Sequence, residues 1–283
     1  MPLGQGYGTG TTYPDAGDLS NFIDAAGFRL RTTVATAANS GTQALASTAN
    51  VFPGDLLYFA KAGVLTTVNG VTGNSVVLAA TVNSTAGEQV RIYGPGTDLA
   101  GNVLRAAQDF ERDAGRKMIA VSDTRTFDPP SNRYGRLFTG DMTAVTTITF
   151  ATQTLVVTTD YLAQPAQNPA RGLPYFWIDF FRRWGGPTPW AQREGLSITG
   201  LFGYAAQIPY DVWQAVLAKA TVQMLPALMM QRSRGFKAWS EADVHQDYGE
   251  KAPALLWGGQ WDLLYQTAVA RYKNAGLGAG GWY

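Results

Sequence analysis

The chain has 283 residues, a formal net charge of +1, no cysteine and one histidine. The lack of cysteine excludes disulfides, thiol nucleophiles and zinc–cysteine sites, and the near-zero charge gives no overall attraction to DNA or to an anionic membrane. Charged residues make up only 15% of the chain, whereas aromatic residues make up 12%. This composition excludes a disordered protein and favours one that buries apolar surface against other protein chains.

The sequence carries no targeting or membrane signal that we recognise. The first eighteen residues, MPLGQGYGTGTTYPDAGD, lack a basic start followed by an apolar stretch, so no signal peptide is predicted. The longest apolar run, within residues 212–230, is interrupted by Gln214, Lys219, Gln223 and Pro226. These polar residues and the proline argue against a transmembrane helix, and we expect no membrane partner.

The first third of the chain predicts one helix and a small β module. Asp15 or Asp18 can cap a helix over about residues 17–26, and Gly27 can end it. Residues 31–94 then contain six short β-rich runs, separated by turn signals such as Gly73-Asn74. They predict a small antiparallel barrel or sandwich, inserted into a core formed by residues 1–30 and 95–283.

The middle of the chain predicts a helix at residues 99–114, followed by an irregular β region. Strands are predicted at residues 120–127 and 136–138, around the turn at 128–130. A hairpin is predicted over residues 145–157 and a further strand over 175–181, whereas Gly and Pro make residues 182–194 a loop.

The stretch from Leu196 to Gln231 is the strongest pattern in the sequence. It starts as an alternating strand, turns at Gly203, and becomes a long helix after Pro209 in which apolar residues recur every three or four positions. Pro226 should kink this helix or begin its end. We expect its apolar face to pack on the helices at 17–26 and 99–114, and a final helix to span about residues 259–273. The predicted fold class is therefore α+β, a small helical bundle with an irregular β region plus the inserted module.

No group of residues predicts catalysis, a cofactor or a metal ion. His245 lies among Glu241, Asp243 and Asp247, which would share one face of a strand as metal ligands can, but a solvated polar segment is the favoured interpretation. Asp109 and Asp113 stand one helical turn apart, where a solvated helix face is again favoured over a paired-acid site. We therefore expect a protein that is not an enzyme.

Arginine and aromatic residues that cluster near the loop at 182–194 and in the C-terminal region are typical of protein interfaces. Such residues can also hold nucleic acid, but the small net charge favours the interface interpretation. The predicted interface residues are Arg182, Arg183, Trp184, Trp190, Arg232, Arg234, Phe236, Trp239, Trp257, Trp261, Trp282 and Tyr283.

Six short motifs occur in an order that is informative as a set. They are Tyr13–Leu19 (YPDAGDL), 106–117 (AAQDFERDAGRK), Arg125–Asp128 (RTFD), Asp160–Pro165 (DYLAQP), Pro174–Ile178 (PYFWI) and, last, the 196–231 stretch itself with its ITGLFGY strand. Together they resemble the head–tail adaptor (connector or head-completion) proteins of tailed bacteriophages. The resemblance covers about residues 13–28 and 99–231. The β module at 31–94 and the long aromatic region at 232–283 depart from the family pattern.

The resemblance implies a structural virion protein, made in the host cytoplasm and located in the neck of the particle. That family forms a ring, usually of twelve copies, which binds the portal protein and the next neck or tail protein. The ring extends the channel through which double-stranded DNA passes without sequence-specific binding. By analogy, Trp239, Trp257, Trp261, Trp282 and Tyr283 are candidates for gripping the portal.

Two other functions stay open at this point. One is another virion part, such as a tail-completion, neck or decoration protein. The other is a carbohydrate-binding or carbohydrate-active protein, in which the aromatic loop 175–194 holds a sugar and Asp179 and Glu194 supply carboxylates.

Overall fold

A computed structural model describes residues 12–25, 31–130, 135–150, 153–181, 195–233, 238–241, 244–247 and 253–273, with the backbone alone for those between 229 and 258. Its helices are α1 (Ala16–Ala25), α2 (Leu99–Ala114), α3 (Tyr210–Ser233) and α4 (Pro253–Tyr272). The chain divides into two compact units. The barrel unit comprises Tyr13–Asp109 and Asp211–Val269, and the sheet unit comprises Met1–Thr12, Phe110–Tyr210 and Ala270–Tyr283.

Six strands of the barrel unit form a closed antiparallel barrel in the order β1-β2-β5-β4-β3-β6. They are β1 (Arg31–Thr36), β2 (Ala38–Leu45), β3 (Leu56–Phe59), β4 (Val64–Thr72), β5 (Ser75–Ser84) and β6 (Gln89–Tyr93). Alternating apolar side chains fill the interior, among them Val34, Leu57, Val76 and Val90. Closure pairs β1 with β6, for example Thr32 with Val90, and so leaves the barrel without a free edge strand.

Polar side chains inside the barrel are fully engaged in hydrogen bonds. Gln43 is buried, and its Nε2 donates to the carbonyls of Ser40 at 2.9 Å and Val82 at 2.8 Å. The Ser84 hydroxyl donates to Gln43 Oε1 at 2.6 Å. One carboxylate oxygen of Glu88 accepts the backbone N–H groups of Lys61 and Ala62 at 2.8 and 2.7 Å, which fixes the turn between β3 and β4.

Helix α1 is tied to the barrel by a buried polar cluster. Asp15 caps the helix, because its carboxylate accepts the N–H of Asp18 at 2.8 Å while Asp18 accepts the N–H of Asp15 at 3.0 Å. Arg91 on β6 donates to Asn21 at 2.8 Å and lies 3.5 Å from the carboxylate of Asp24. Ser20 and Tyr93 share a hydrogen bond of 2.6 Å, and burial raises the pKa of Tyr93 to about 12.

The helices of the barrel unit touch one another in pairs. Phe22 of α1 lies 6.0 Å from Trp261 of α4, between ring centroids. Gln223 of α3 donates to Asp109 of α2 at 3.0 Å. These contacts are compatible with the predicted bundle, whose detailed packing stays a prediction.

The sheet unit is built on an open antiparallel sheet in the order β10-β11-β8-β12-β7, with β9 paired to β8. Its strands are β7 (Val121–Phe127), β8 (Arg136–Phe150), β9 (Gln153–Thr154), β10 (Tyr161–Gln164), β11 (Tyr175–Phe180) and β12 (Leu196–Phe202). The first half of β8 pairs with β11 and the second half with β12. Met142, Ile148, Ile178, Ile198 and Phe202 belong to the core that lies against this sheet.

The α+β class and the antiparallel barrel are confirmed, and five of the six predicted barrel strands occur close to their expected positions; the strand predicted at 43–47 instead starts at Ala38 and ends at Leu45. Helix α2 has the predicted bounds. Of the two outcomes predicted at Pro226, termination is wrong, since α3 runs on to Ser233 with the proline inside it, and the kink stays a prediction. Helix α4 starts earlier than predicted, at Pro253, and a hairpin of β13 (Ala238–Glu241) and β14 (Val244–Asp247) precedes it.

In the irregular β region, the hairpin predicted over 145–157 occurs as the short pairing of β8 with β9, for example Thr149 with Thr154, but the strand predicted at 136–138 is much longer than expected. The expected strand at 136–138 and the expected strand at 145–150 are one continuous strand, β8. It does not pair with 120–127, because β7 pairs with β12 over its whole length. Gly140 adopts a φ of +73° inside β8 and lets the strand change neighbours without ending.

Candidate functional site

A cleft of about 830 Å³ opens in the sheet unit. Three segments line it, namely residues 115–117 after α2, residues 125–128 at the end of β7, and residues 137–141 in the first half of β8. Phe202 and Gly203 complete its wall. The cleft is therefore placed where β8 changes from one neighbouring strand to the other.

Arg116 and Asp141 form a buried ion pair in this cleft. Arg116 Nε lies 3.5 Å from Asp141 Oδ2, and the two side chains are 10% and 7% exposed. Neither Arg116 Nε nor Asp141 Oδ1 has a hydrogen-bond partner among the described residues. Burial raises the pKa of the Asp141 carboxyl above its ordinary value, and the nearby guanidinium offsets part of that rise.

Besides its ion pair with Asp141, Arg116 contacts the first of a row of aromatic rings. The guanidinium lies 5.0 Å from the centroid of the Tyr204 ring, within the range of a cation–π contact. Tyr204 meets Tyr272 edge-on, with 5.3 Å between ring centroids, and Tyr272 also lies near Phe110 of α2. The last turn of α4 is thus separated from the Arg116 guanidinium by a single ring.

A second arginine lies over the core of the sheet. The guanidinium of Arg125 lies 4.1 Å from the centroid of the Phe202 ring, and its Nε donates to the Asp123 carboxylate at 2.9 Å. This hydrogen bond lowers the pKa of the exposed Asp123 carboxyl. Leu137 and Phe138 add apolar surface to the cleft, and Phe138 remains 43% exposed.

Gly203 fixes the backbone next to the ion pair. Its N–H donates to the carbonyl of Asp141 at 2.9 Å, and its φ of +149° is one that a side chain rarely tolerates. A Cβ at this position would collide with the carbonyl of Ile119 and the backbone of Ala120. The glycine is therefore required for the close approach of β12, β8 and the residues before β7.

The cleft combines a buried donor, Arg116 Nε, and a buried acceptor, Asp141 Oδ1, with an apolar wall, and Lys117, Thr126, Asp128 and Thr139 add further polar groups to its lining. Among the described residues, no group of three or more His, Asp and Glu side chains is placed to hold a metal ion. No helix in the described part of the chain is long and apolar enough to span a bilayer.

Most of the predicted interface residues cannot be compared with the cleft. Eight of them lie outside the described residues, namely Arg182, Arg183, Trp184, Trp190, Arg234, Phe236, Trp282 and Tyr283. Arg232, Trp239 and Trp257 lie on α3, β13 and α4, where the backbone alone is described. Trp261 is only 7% exposed and packs on Phe22, so its ring is part of the barrel unit's interior.

The acidic residues that sequence reasoning considered are held by neighbouring side chains where the structure describes them. Asp179 accepts from Arg136 at 2.7 Å and from the Trp177 indole at 3.3 Å, while Glu194 lies outside the described residues. Asp109 accepts from Gln223, and Asp113 lies 3.5 Å from Arg112. His245 lies on β14, where the side chains are not described.

The sequence analysis did not single out the Arg116–Asp141 pair. Arg116 reads as a basic residue at the end of a helix, and Asp141 lies in a stretch between two predicted strands. Their 25-residue separation carries no local signal. Only the pairing of β8 with both β11 and β12 brings Asp141 to the end of α2.

The sheet unit also carries most of the large apolar side chains that remain exposed. They include Val121, Phe138, Val156, Val157, Leu173 and Phe181, with Val121 61% exposed and Phe181 55% exposed. In addition, every residue of β7 from Val121 to Thr126 is exposed, and among the described strands this one pairs on one side only, with β12. Exposed apolar side chains beside a free strand edge are typical of a surface that meets another protein.

A scan against protein-family models finds no model that matches the chain, and a search of curated proteins finds no matching sequence.

Proposed function

We propose that this chain is a structural virion protein that forms a ring adaptor between the portal and the neck or tail of a tailed bacteriophage. The observation that carries the proposal is the open sheet with its exposed edge strand and exposed apolar side chains. A closed ring requires a heterologous interface, in which one surface of a subunit meets a different surface of its neighbour. The sheet has two different edges, β7 and β10, and so offers two unlike surfaces.

The position of the adaptor-like motifs gives further support. Five of the six lie within or enter the sheet unit, and pairs of them are in contact there. Arg125 of the RTFD motif lies over Phe202 of the ITGLFGY motif. Ala163 and Gln164 of the DYLAQP motif pair with Ile178 and Trp177 of the PYFWI motif on the adjacent strands β10 and β11. Motifs that are distant in sequence thus pair within one sheet. This is expected if the motifs are parts of one family fold.

In this proposal the barrel, residues 31–93, is an added module that faces a neighbouring virion component. Its closed form leaves no edge strand for pairing, so we infer that its contacts use loops and side chains. In this proposal the helices of the barrel unit pack as a small bundle, and the sheet unit provides the contacts between subunits. The aromatic residues of the C-terminal region remain candidates for the portal contact.

The experiment that tests ring formation is mass photometry of the full chain over a range of concentrations. We expect one dominant high-mass species of uniform copy number in equilibrium with the monomer. A charge at an exposed apolar position of the sheet unit, Phe181→Asp, should lower the population of that species about tenfold or more, because an unpaired charge in an interface is costly. Leu104→Asp, on an exposed position of α2 in the barrel unit, is the matched control and should leave it unchanged.

Exclusively monomeric protein at every concentration, with and without the portal protein from the same genome, would contradict the adaptor proposal. A second virion role, as a tail-completion or decoration protein, predicts uniform particles that bind tail or capsid proteins and not the portal. Carbohydrate binding has weaker support, because the Asp179 carboxylate is already held by Arg136 and Trp177. Loss of glycan binding or turnover in Asp179→Ala would favour that function.

A further inference from the structure

The β7 edge of the sheet unit presents both its backbone and its side chains to the outside. Among the described strands, β7 pairs only with β12, and six of its seven residues, Val121 to Thr126, are exposed. Every second residue of an antiparallel strand points its N–H and C=O away from its neighbour, so this edge offers donors and acceptors to another strand. At the opposite edge, the Tyr161 carbonyl of β10 accepts the N–H of Thr158 at 2.8 Å. Among the described residues, β7 is therefore the more open of the two edges.

The sequence of β7, VSDTRTF, has the same chemical pattern when it is read from either end towards Thr124. An apolar residue stands at each end, a small hydroxyl residue follows, and two opposite charges flank the central threonine. If two copies of β7 lie antiparallel with Thr124 opposite Thr124, every residue faces one of matching chemistry. The facing positions are Val121 with Phe127, Ser122 with Thr126, and Asp123 with Arg125.

The two charged residues of β7 restrict which strand can pair with it. The side chains of Asp123 and Arg125 are 48% and 44% exposed, and Arg125 Nε donates to the Asp123 carboxylate at 2.9 Å. Charged side chains on an edge strand oppose pairing with any strand that does not neutralise them. A parallel, in-register pair of β7 strands puts each charge opposite its own copy. A one-residue shift of the antiparallel register moves each aspartate away from the facing arginine. Only the antiparallel register centred on Thr124 matches both charges and the apolar ends.

We propose that β7 pairs antiparallel with β7 of a second copy of this chain, about a two-fold axis at Thr124. The two sheets then form one continuous sheet, and the exposed edge strand is covered. This contact is isologous, so it makes a dimer and does not by itself close a ring. A ring whose contacts use the β7 edge must open the dimer, which keeps the edge covered until assembly. The inference concerns the free chain and does not depend on the adaptor function, so either proposal can fail without the other.

Disulfide trapping in the full chain tests both the pairing and its register, because the protein has no native cysteine. Thr124→Cys places two thiols directly opposite each other at the two-fold axis, with a Cα separation of about 4.5–5.5 Å that a disulfide can bridge. Ser122→Cys is the matched control. Ser122 is exposed on the same face of β7, but in the proposed register its two copies lie about 14 Å apart, too far for a disulfide.

Under mild oxidation the Thr124→Cys chain should form its intermolecular disulfide at least about tenfold faster than the Ser122→Cys chain, because pairing raises the effective concentration of the facing thiol. A mixture of Ser122→Cys and Thr126→Cys chains should form a mixed disulfide faster than either chain forms its own, since these two positions face each other. Equal rates for Thr124→Cys and Ser122→Cys would overturn the proposal, even for a chain that forms rings.

Charge reversal gives a second readout without cysteines. Asp123→Arg and Arg125→Asp each put like charges opposite each other at two symmetric places, so each should weaken the dimer about tenfold or more in sedimentation equilibrium. An equimolar mixture of the two variants should dimerise again, because two positive side chains on one strand then face two negative ones on the other. Circular dichroism checks that each variant is folded. Folded variants that stay monomeric when they are mixed would contradict the proposal.

Discussion

Arg116 and Asp141 face each other at 3.5 Å in the cleft of the sheet unit, nine-tenths buried and without a hydrogen bond between them. A buried ion pair of this kind is weak evidence for stability, because the desolvation of both charges opposes their attraction. The aromatic ring of Tyr204 contacts the arginine, and the N–H of Gly203 donates to the backbone carbonyl of Asp141 and so fixes its main chain. The pair is therefore better explained as a fixed polar site than as a stabilising contact.

Asp141 should make the stability of the protein depend on pH in a direction that is unusual for an aspartate. Burial raises its pKa in the folded chain above the ordinary value of 3.8, so the folded state binds its proton more tightly than the unfolded state does. Its stabilising contribution is fully present below 3.8 and is lost as the pH rises through the raised pKa. The free energy of unfolding of the native chain, minus that of Asp141→Asn, should therefore fall as the pH rises from acid to neutral.

Asp123 is the control, because its contribution to stability should change with pH in the opposite direction to that of Asp141. The hydrogen bond from Arg125 lowers its pKa in the folded chain, so its stabilising contribution is present above the ordinary pKa and is lost as the pH falls through the lowered value. The corresponding difference for Asp123→Asn should rise with pH, with a small amplitude because this carboxylate is exposed. Urea unfolding at a series of pH values measures both differences. A difference for Asp141→Asn that rises with pH would contradict the assigned cause of its shift.

Gly200 tests the close packing of β12 on β8. A Cβ at this position would collide with the carbonyl oxygen of Ala144, so Gly200→Ala should lower the free energy of unfolding by about 1–3 kcal/mol. Gly70→Ala is the matched control, because Gly70 also lies in a strand and a Cβ there meets nothing within 4 Å. Chemical denaturation compares the two variants. An equal effect of both would mean that β12 does not approach β8 as closely as described.

Gln43 tests the polar interior of the barrel. Gln43→Met removes the donor to the Ser40 and Val82 carbonyls and the acceptor for Ser84. The variant should lose about 1–3 kcal/mol of stability, because it leaves buried groups without partners. Gln153→Met, on the exposed strand β9, should change stability by less than about 0.5 kcal/mol. If thermal unfolding shows no difference between them, the hydrogen bonds of Gln43 do not stabilise the barrel.

A substitution at Trp261 tests whether this residue stabilises the fold or forms an interface, as the sequence predicted. Because its ring is buried against Phe22, Trp261→Ala should lower the free energy of unfolding by about 3–5 kcal/mol. Leu263 lies two residues further along α4 and is 67% exposed, so Leu263→Ala should be nearly neutral. A stable Trp261→Ala chain that has lost only its ability to assemble would instead support the interface role expected from the sequence.

The sequence predicts elements well where one local pattern determines them. The barrel strands alternate and are separated by turn residues, and α2 has a clear apolar face that ends at Gly115, so both are found where expected. Pro226 shows the limit of a local rule, since α3 continues through the proline to Ser233, while Leu217, Ala220 and Met224 are buried in the turns before it. The start of α4 at Pro253 likewise could not be predicted, because no helical repeat of apolar residues marks it.

Strand pairing in the sheet unit could not be predicted, because it depends on contacts between distant segments. The sequence predicts the strand at 120–127 but not its partner: β7 pairs with β12, about seventy residues away, which buries Ile198 and Phe202 on the core face. The cleft has the same origin. Arg116 and Asp141 meet only because Gly140 and Gly203 allow the backbone to turn there, and neither glycine indicates which segment it will meet.

The most direct test of the adaptor proposal is electron cryo-microscopy of the full chain mixed with the portal protein from the same genome. The proposal predicts a closed ring of this chain seated coaxially on the portal, with the sheet units in contact between neighbouring subunits and an open central channel. A complex in which the chain binds elsewhere on the particle, or the absence of any ring on or off the portal, would contradict it.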